Sequence, residues 1–574
     1  MAFACAAFLV GAQTLHAQDM AHIADAKPVT LHGSFATGLN YYGALSKEDA
    51  NVSGATFSAS PSWFVQADPI LSVYGIAIPV NLLLTSQDSR FHTPFNRYGM
   101  SPYYKWAKVH AGWRSLNFSQ FTLGGQQILG AGFELTPGKI SASFMYGKFN
   151  NAITDLSLYN NLNNETPLYE RKGFAARIGY GSKANFLEFS YLQAKDDSSS
   201  IPRALLDSTA VRPAANQVAG LKGKITVRKH LSLNVEAAAS YYTRNTTAPM
   251  RETDETLAGY AAVFPRISSL GAVAGEVSLQ QRIRGGSIHL KYKRVDPDYK
   301  SMGAFYMQTD LEQYTFGLDL AFLKKKVRTR ADLGFQRNNL YETAFSNSRR
   351  TIGNISVDIT PSDVFGVQVR YSNYGISQQI IPQLQDPSTI VRYDSIRISQ
   401  VNQSISIAPH FYINRKNIRH SISALASIQS LNNRNEAQSG LDYASTMGSL
   451  IYALTLPKRN LSITNTLNYF NTSMSLVSST TMGYNLGVSK RLVADTTGQH
   501  TLDAVTLSLF GGWFNTLLDG TSSGTTFSLN PAVGITFLKW HSFQVNASYF
   551  TRHSKGAVSA NDQVTLAARY NFSF

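Results

Sequence analysis

The stretch VTLAARYNFSF, residues 564–574, places Val564, Leu566, Ala568, Tyr570, Phe572 and Phe574 at every second position, with Thr565, Arg569, Asn571 and Ser573 between them. Successive side chains of a strand point to opposite faces, so a two-residue period gives one apolar face and one polar face. A soluble domain usually lets its last residues fray in water. These residues read instead as an amphipathic strand that a larger sheet must hold.

The same alternation recurs along the chain. Leu231, Leu233, Val235, Ala237, Ala239 and Tyr241 share one face, with Ser232, Asn234, Glu236, Ser240 and Tyr242 on the other. Phe316, Leu318, Leu320 and Phe322, then Phe365, Val367, Val369 and Tyr371, then Phe527, Leu529, Pro531, Val533, Ile535 and Phe537 repeat it. Many runs are about twice the modal strand of a soluble sheet, which is the length a tilted strand needs to cross hydrocarbon. Connections fall into two alternating classes. Tight hairpins are expected at 136–139, near 182, and at 228–230, 323–326, 360–363, 414–417, 456–460 and 538–542; long polar loops are expected at 150–172, 196–216, 245–270, 296–312, 339–350, 375–401 and 432–445. At about 21 to 23 residues per strand and connection, the chain supplies on the order of 24 to 26 strands, and 26 is favoured. The stretch 103–136 is the least regular, worth one strand or three.

Composition agrees with a sheet that has one side in lipid. Only 15% of the 574 residues are charged, against roughly 25% in ordinary soluble domains, while 43% are hydrophobic and the chain holds 29 Tyr and 32 Phe. The mean hydropathy of -0.15 is nevertheless that of a soluble chain, because lipid-facing and water-facing residues cancel in an average. Residues 1–18, MAFACAAFLVGAQTLHAQ, read as a secretory signal peptide with cleavage at Ala17; residues 19–28 would be a short N-terminal segment and 29–574 the barrel. The single cysteine, Cys5, falls in the leader, so no disulfide or cysteine metal site is expected in the processed chain. Beyond the leader no run reaches the 18 or so apolar residues of a membrane helix. A bilayer-spanning chain must then close its strands into a barrel, since an open sheet edge cannot be satisfied in hydrocarbon. A soluble propeller or sandwich also alternates, but with shorter strands and no segregation of short and long loops.

On the leader, the alternation, the loop asymmetry and the terminal ARYNFSF, the chain resembles the large outer-membrane β-barrel proteins of Gram-negative bacteria. The resemblance implies an all-β, antiparallel up-and-down transmembrane barrel with short periplasmic turns, long extracellular loops and a place in the outer membrane, among its lipids. It also implies that Tyr570, Phe572 and Phe574 are the signal read by the barrel-assembly machinery, with Phe574 closing the barrel against a first strand at Val29–Tyr41. No plug domain is expected before that strand, so something within the chain, or a partner, is expected to fill part of so wide a lumen.

The net charge of +16 does not point to nucleic acid, because much of the excess lies in the short turns, at Lys324, Lys325, Lys326, Arg415, Lys416, Lys458, Arg459 and Lys539. There it faces anionic headgroups and lacks the aromatic interleaving of a stacking groove. A second set occupies the polar face of strands: Lys222, Lys224 and Arg228; His289, Lys291 and Lys293; Arg328 and Arg330; and Arg370. These are the lumen-lining candidates. They either favour anionic solutes or stitch the wall to acids such as Glu236, Asp319, Asp332 and Asp358.

Residues 101–135, rich in aromatics and glycine, are expected to form two ordinary strands with a glycine bend in preference to an inward constriction. Asp296, Pro297 and Asp298 read as a turn before they read as a calcium loop. Gly520-Thr521-Ser522-Ser523-Gly524 matches a hydrolase string but lies between strands without the required helix. The twelve histidines show no metal-ligand spacing. No catalytic residue, cofactor or metal is therefore expected. The sequence points to a channel or transporter for solutes, with a filled-lumen accessory barrel that binds other outer-membrane or periplasmic proteins as the alternative. A barrel hydrolase would need a Ser/His or Asp/His group at the outer rim.

Overall fold

The structure, a computed structural model, describes residues 28–46, 56–86, 96–154, 167–203, 211–251, 266–304, 307–342, 346–380, 396–433, 442–474, 477–493, 502–554 and 561–574. The expected leader lies outside the described residues. Twenty-nine β-segments form one sheet, and three strands are each interrupted once, at Gly33, at 68–69 and at 101–102, giving 26 strands. Every neighbouring pair is antiparallel and consecutive in sequence, and the last strand, Asn561–Ser573, pairs with Ser34–Ser46 from Ser34↔Ser573 to Ser46↔Asn561. Phe574 exchanges two backbone hydrogen bonds with Gly33, of 2.6 and 3.0 Å. The closed ladder leaves no sheet edge, which a membrane-embedded sheet requires. Among the described residues no helix is long and apolar enough to cross a membrane; the strands provide the crossings.

Alternation sets the two faces. Leu39, Phe133, Tyr146, Ile178, Leu221, Val235, Leu290, Phe316 and Trp513 are all exposed, at the parity the sequence assigned to lipid. Rings stack along this outer surface from Phe133 to Phe144 to Phe174 to Tyr191, with centroids 5.9, 6.0 and 5.9 Å apart. Short connections gather at one end. Arg228, Lys229, Leu323, Lys324, Lys325, Leu538 and Lys539 adopt left-handed backbone there, which tight hairpins demand at some cost for a side-chain-bearing residue.

Two expectations about boundaries change. Strands Ser346–Ile359, Phe365–Ile380 and Ile396–Arg415 run well into the segments expected as loops 339–350 and 375–401. Their ends are rich in Ser, Asn, Gln and Arg, which read as loop, although Ile376, Ile380, Ile396 and Ile398 still alternate and the hydrogen-bond register continues. Residues 101–135 are the second correction. Ala107–Arg114 and Ile128–Leu135 are indeed strands, but 115–127 between them folds into the barrel and packs on the wall. The apolar residues of this stretch, Leu116, Phe118, Phe121 and Leu123, serve a buried surface on the inside of the barrel instead of a face in lipid, which a strand pattern does not distinguish.

Next to that inward segment the wall is creased. Gly99, Gly112, Gly130, Gly147 and Gly173 lie in direct register across five adjacent strands. A Cβ at Gly130 would sit 1.9 Å from the Tyr146 carbonyl oxygen, and one at Gly147 would sit 2.3 Å from that of Leu129. Only residues without a Cβ allow backbones so close.

Candidate functional site in the barrel lumen

The lumen face is fixed by contacts across the interior. Glu236, at the polar parity of Leu231–Thr243, accepts hydrogen bonds from the Ser119 hydroxyl and, at 2.9 Å, from the Gln120 backbone N–H. Its face is therefore inward, and register carries that assignment around the wall. Glu188, Lys222, Glu236, Glu276, Lys293 and Gln313 follow one another as direct cross-strand partners on six strands. Glu236 and Glu276 face each other, which repels unless a third group intervenes. Gln120 is that group: its amide donates to Glu276 at 3.3 Å, its carbonyl oxygen accepts from Lys293 at 3.0 Å, and the Lys293 ammonium lies 5.5 Å from the centre of the Phe121 ring.

A second segment, from 296 to 304, also turns inward and joins the first. Gly124 donates its backbone N–H to the Gly303 carbonyl at 3.0 Å, the Tyr299 hydroxyl donates to the Phe121 carbonyl at 2.8 Å, and the Ser301 hydroxyl donates to that of Thr122. Asn216 on the wall accepts from the Met302 N–H at 2.9 Å and donates to the Lys300 carbonyl at 3.1 Å. Beneath these bonds Phe121, Leu123, Tyr299 and Met302 bury themselves on Met145, Phe149, Leu192, Val218, Val295 and Leu311 of the wall. Each large apolar side chain so removed from water contributes roughly 1.5–3 kcal/mol. Burial, and secondarily the Glu236 charge, push the Tyr299 phenol up, so it stays protonated and keeps donating. The two inward segments thus form a dry internal lining on one side of the lumen.

The basic residues singled out from sequence divide into groups. Lys222 approaches Glu236 at 4.0 Å, His289 approaches Asp332 at 3.2 Å, and Arg328 holds Asp319 at 2.8 Å. Arg330 lies between Asp319 at 3.5 Å and Asp358 at 3.8 Å. Lys293 belongs to the Gln120 contact. Among the described residues Lys224, Lys291 and Arg370 form no ion pair. Arg228 falls beyond the strand end at Val227, in a tight turn. Asp296 and Asp298 do not converge on one point: Asp296 is buried beside Arg294 at 3.2 Å, while Asp298 pairs with Arg244 at 2.6 Å. Among the described residues no cluster of three or more His, Cys, Asp or Glu could hold a metal ion.

Sequence reasoning missed Ser119, Gln120, Tyr299 and Ser301, which are not strand residues. A signal existed nonetheless. Val218 interrupts the polar parity of Lys222 and Lys224, as Leu192 and Val295 interrupt theirs, and an apolar residue facing the lumen asks for a cover.

It also missed a hydrogen-bonded row in which His110 joins the Ser101 hydroxyl through Nδ1 and the Glu134 carboxylate through Nε2, both at 2.9 Å. The order of groups is that of a nucleophile relay, but Ser101 is 7% exposed and its backbone N–H, the natural oxyanion donor, is spent on the Pro79 carbonyl. We read it as part of the wall. Ser522 follows the two-residue turn 519–520 of a hairpin and donates to Asn515 at 3.1 Å.

No protein-family model matches the chain, and no curated protein matches it. Among solved structures it is similar to Pseudomonas aeruginosa OccK11 (OpdR) at 9% identity and TM-score 0.29, covering 95% of this chain and 96% of that one. The P pilus usher (PapC) translocation pore gives 11% identity and TM-score 0.33 over 94% and 99%, and BauA, the ferric preacinetobactin receptor from Acinetobacter baumannii, 11% and 0.34 over 93% and 80%. Likeness at these values carries no argument about what this chain does.

Proposed function

We propose that this chain is an outer-membrane β-barrel through whose lumen solutes pass, a channel or transporter with no chemistry of its own. The observation that supports it best is the polar, closed lumen wall of the strands from Ser346 onward, where hydroxyl and amide groups bond to one another, as in Ser449 to Asn468 at 3.1 Å, Thr481 with Thr516 at 3.1 Å and Ser489 with Ser508 at 2.9 Å. Such a face is stable against water and has no use against lipid or a dry core. The lining made by 115–127 and 296–304 would narrow the path on one side. Lys224, Lys291 and Arg370 are the uncompensated wall cations on such a path, and the paired basic residues act as wall stitching. The terminal Tyr570, Phe572 and Phe574 would serve the assembly machinery, Phe574 already holding the seam with Gly33.

The purified protein in a planar lipid bilayer is expected to give a stable open current. Silence, together with proteins that co-purify in fixed ratio, would overturn this in favour of the accessory barrel, whose support is the same internal lining taken as the start of a filled lumen.

A further inference from the structure

We propose that the lumen holds a binding site for a small organic monocarboxylate, centred on the Arg114 guanidinium beneath the root of the inward segment. The site deepens the channel reading by naming a solute class, and it rests on that reading for a solute-accessible lumen.

A cavity of about 610 Å³ lies there, lined by side chains of the third, fourth, fifth and sixth strands and by Ser115, Leu116 and Gln127. Its volume falls in the range of pockets that enclose small organic ligands. Three charged residues line it besides His110: Lys108, Arg114 and Glu134. Lys108 and Glu134 stand 3.4 Å apart and neutralise each other, which leaves Arg114.

Arg114 has no carboxylate partner among the described residues. Its Nε donates to the Met100 carbonyl at 3.3 Å and its Nη1 to the Asn81 side-chain oxygen at 2.5 Å, while Nη2 is buried with no partner at all. Asn81 in turn donates to Asp68 at 2.6 Å, so that carboxylate reaches the arginine only through an intervening amide. A buried donor on a cation is costly to leave unmade. Turned a little towards the cavity, the guanidinium offers Nη2 and the second hydrogen of Nη1, the edge that takes a carboxylate end-on with two parallel bonds.

The charge count selects among anions. One unpaired cation matches one negative charge, whereas a doubly charged phosphate would also meet Glu134. Tyr103, Trp113, Pro79 and Leu116 supply aromatic and apolar surface for the body of the ligand. Nothing in the sequence pattern marks Arg114, because it stands at a strand end where alternation gives way to the inward segment.

The test is calorimetric titration of the detergent-solubilised barrel with benzoate, with benzamide as its uncharged counterpart. Wild type is expected to bind one benzoate saturably and benzamide at least about tenfold more weakly. Arg114→Gln should lose benzoate binding by a similar factor, while Lys539→Gln, in a short turn outside the cavity, should bind as wild type does. Tyr103→Ala keeps the fork and should weaken benzoate while leaving acetate unchanged, which covers the case in which Arg114→Gln fails to fold. Absence of saturable benzoate binding to wild type, equal binding of benzamide, or unchanged affinity in folded Arg114→Gln would overturn the site. Because no membrane is involved, a barrel that conducts but does not bind refutes only this site, and one that binds but does not conduct refutes only the channel.

Discussion

Two arcs of the wall, eleven strands each, solve the problem of a wide lumen differently. From Ala107 to Arg337 the strands have 8 to 15 residues, the lumen face carries apolar residues under two inward segments, and backbones crowd at a row of glycines. From Ser346 to Ser573 the strands have 13 to 20 residues, and the lumen face mixes hydroxyl and amide groups with rings such as Phe510 and cations such as Arg370. All ion pairs found among the described residues lie between residues 108 and 358, and only Asp358 of the second arc takes part. Where protein covers the wall, charges and apolar groups can be mated by specific partners. In the other arc polar groups bond mostly to one another, and Arg370 stands without an ion pair among the described residues.

Glycine use separates the arcs most sharply. In the first arc a Cβ at Gly147 would meet the Leu129 carbonyl at 2.3 Å and the Gly130 Cα at 2.7 Å; in the second, a Cβ at Gly487 would meet only the Phe510 ring, at 2.4 Å. Backbone cannot yield, whereas a ring can rotate away. Gly147→Ala is therefore expected to cost more than about 4 kcal/mol, seen as loss of the folded, heat-modifiable band on gels. A normally folded Gly147→Ala protein would mean that the crease is incidental.

Phe121→Ala comes next. It should weaken docking of the inward segment by roughly 3 kcal/mol, speeding hydrogen exchange of the amides of 116–126 while those of 502–537 keep their protection. Equal acceleration in both regions would dissolve the distinction between the arcs. The companion change Gly487→Ala should cost only about 1 kcal/mol in urea titration, and a cost like that of Gly147→Ala would show that the second arc is as tightly determined as the first.

The smallest effect concerns acid. Lys148, 2.6 Å away, and Lys172, 2.9 Å away, hold the Glu170 carboxyl below its ordinary value. A lowered folded value means that this contribution is present above the ordinary carboxylate range and lost as pH falls through the folded value. Acidification should loosen the backbone around 167–172, read by local hydrogen exchange corrected for its intrinsic pH dependence, and Lys148→Gln should remove much of that response. An unchanged response in the variant would exclude the contact as its cause.

Most of the barrel was legible in the residues themselves. Strand parity followed from alternation, the favoured count of 26 from chain length per strand, and the seam at Phe574 from the resemblance to outer-membrane barrels. Strand ends beyond the apolar band were not legible, because their many Ser, Asn, Gln and Arg residues read as loop and outweigh the few alternating isoleucines. Half of the candidate site was visible, the wall cations; the other half, Gln120, Tyr299 and Arg114, sits where no periodicity operates.

Side-chain alternation is a local property, so the sequence alone determined which face of each regular strand is apolar and brought the strand count to about 24 to 26. Which segments turn inward depends on contacts between residues more than a hundred positions apart, such as Gln120 with Glu276. Which lumen charges are cancelled and which arginine keeps an unpaired donor depend on how neighbouring strands are set against one another, as with Arg330 between Asp319 and Asp358. Register across many strands places those groups together, and register exists only once the barrel has closed.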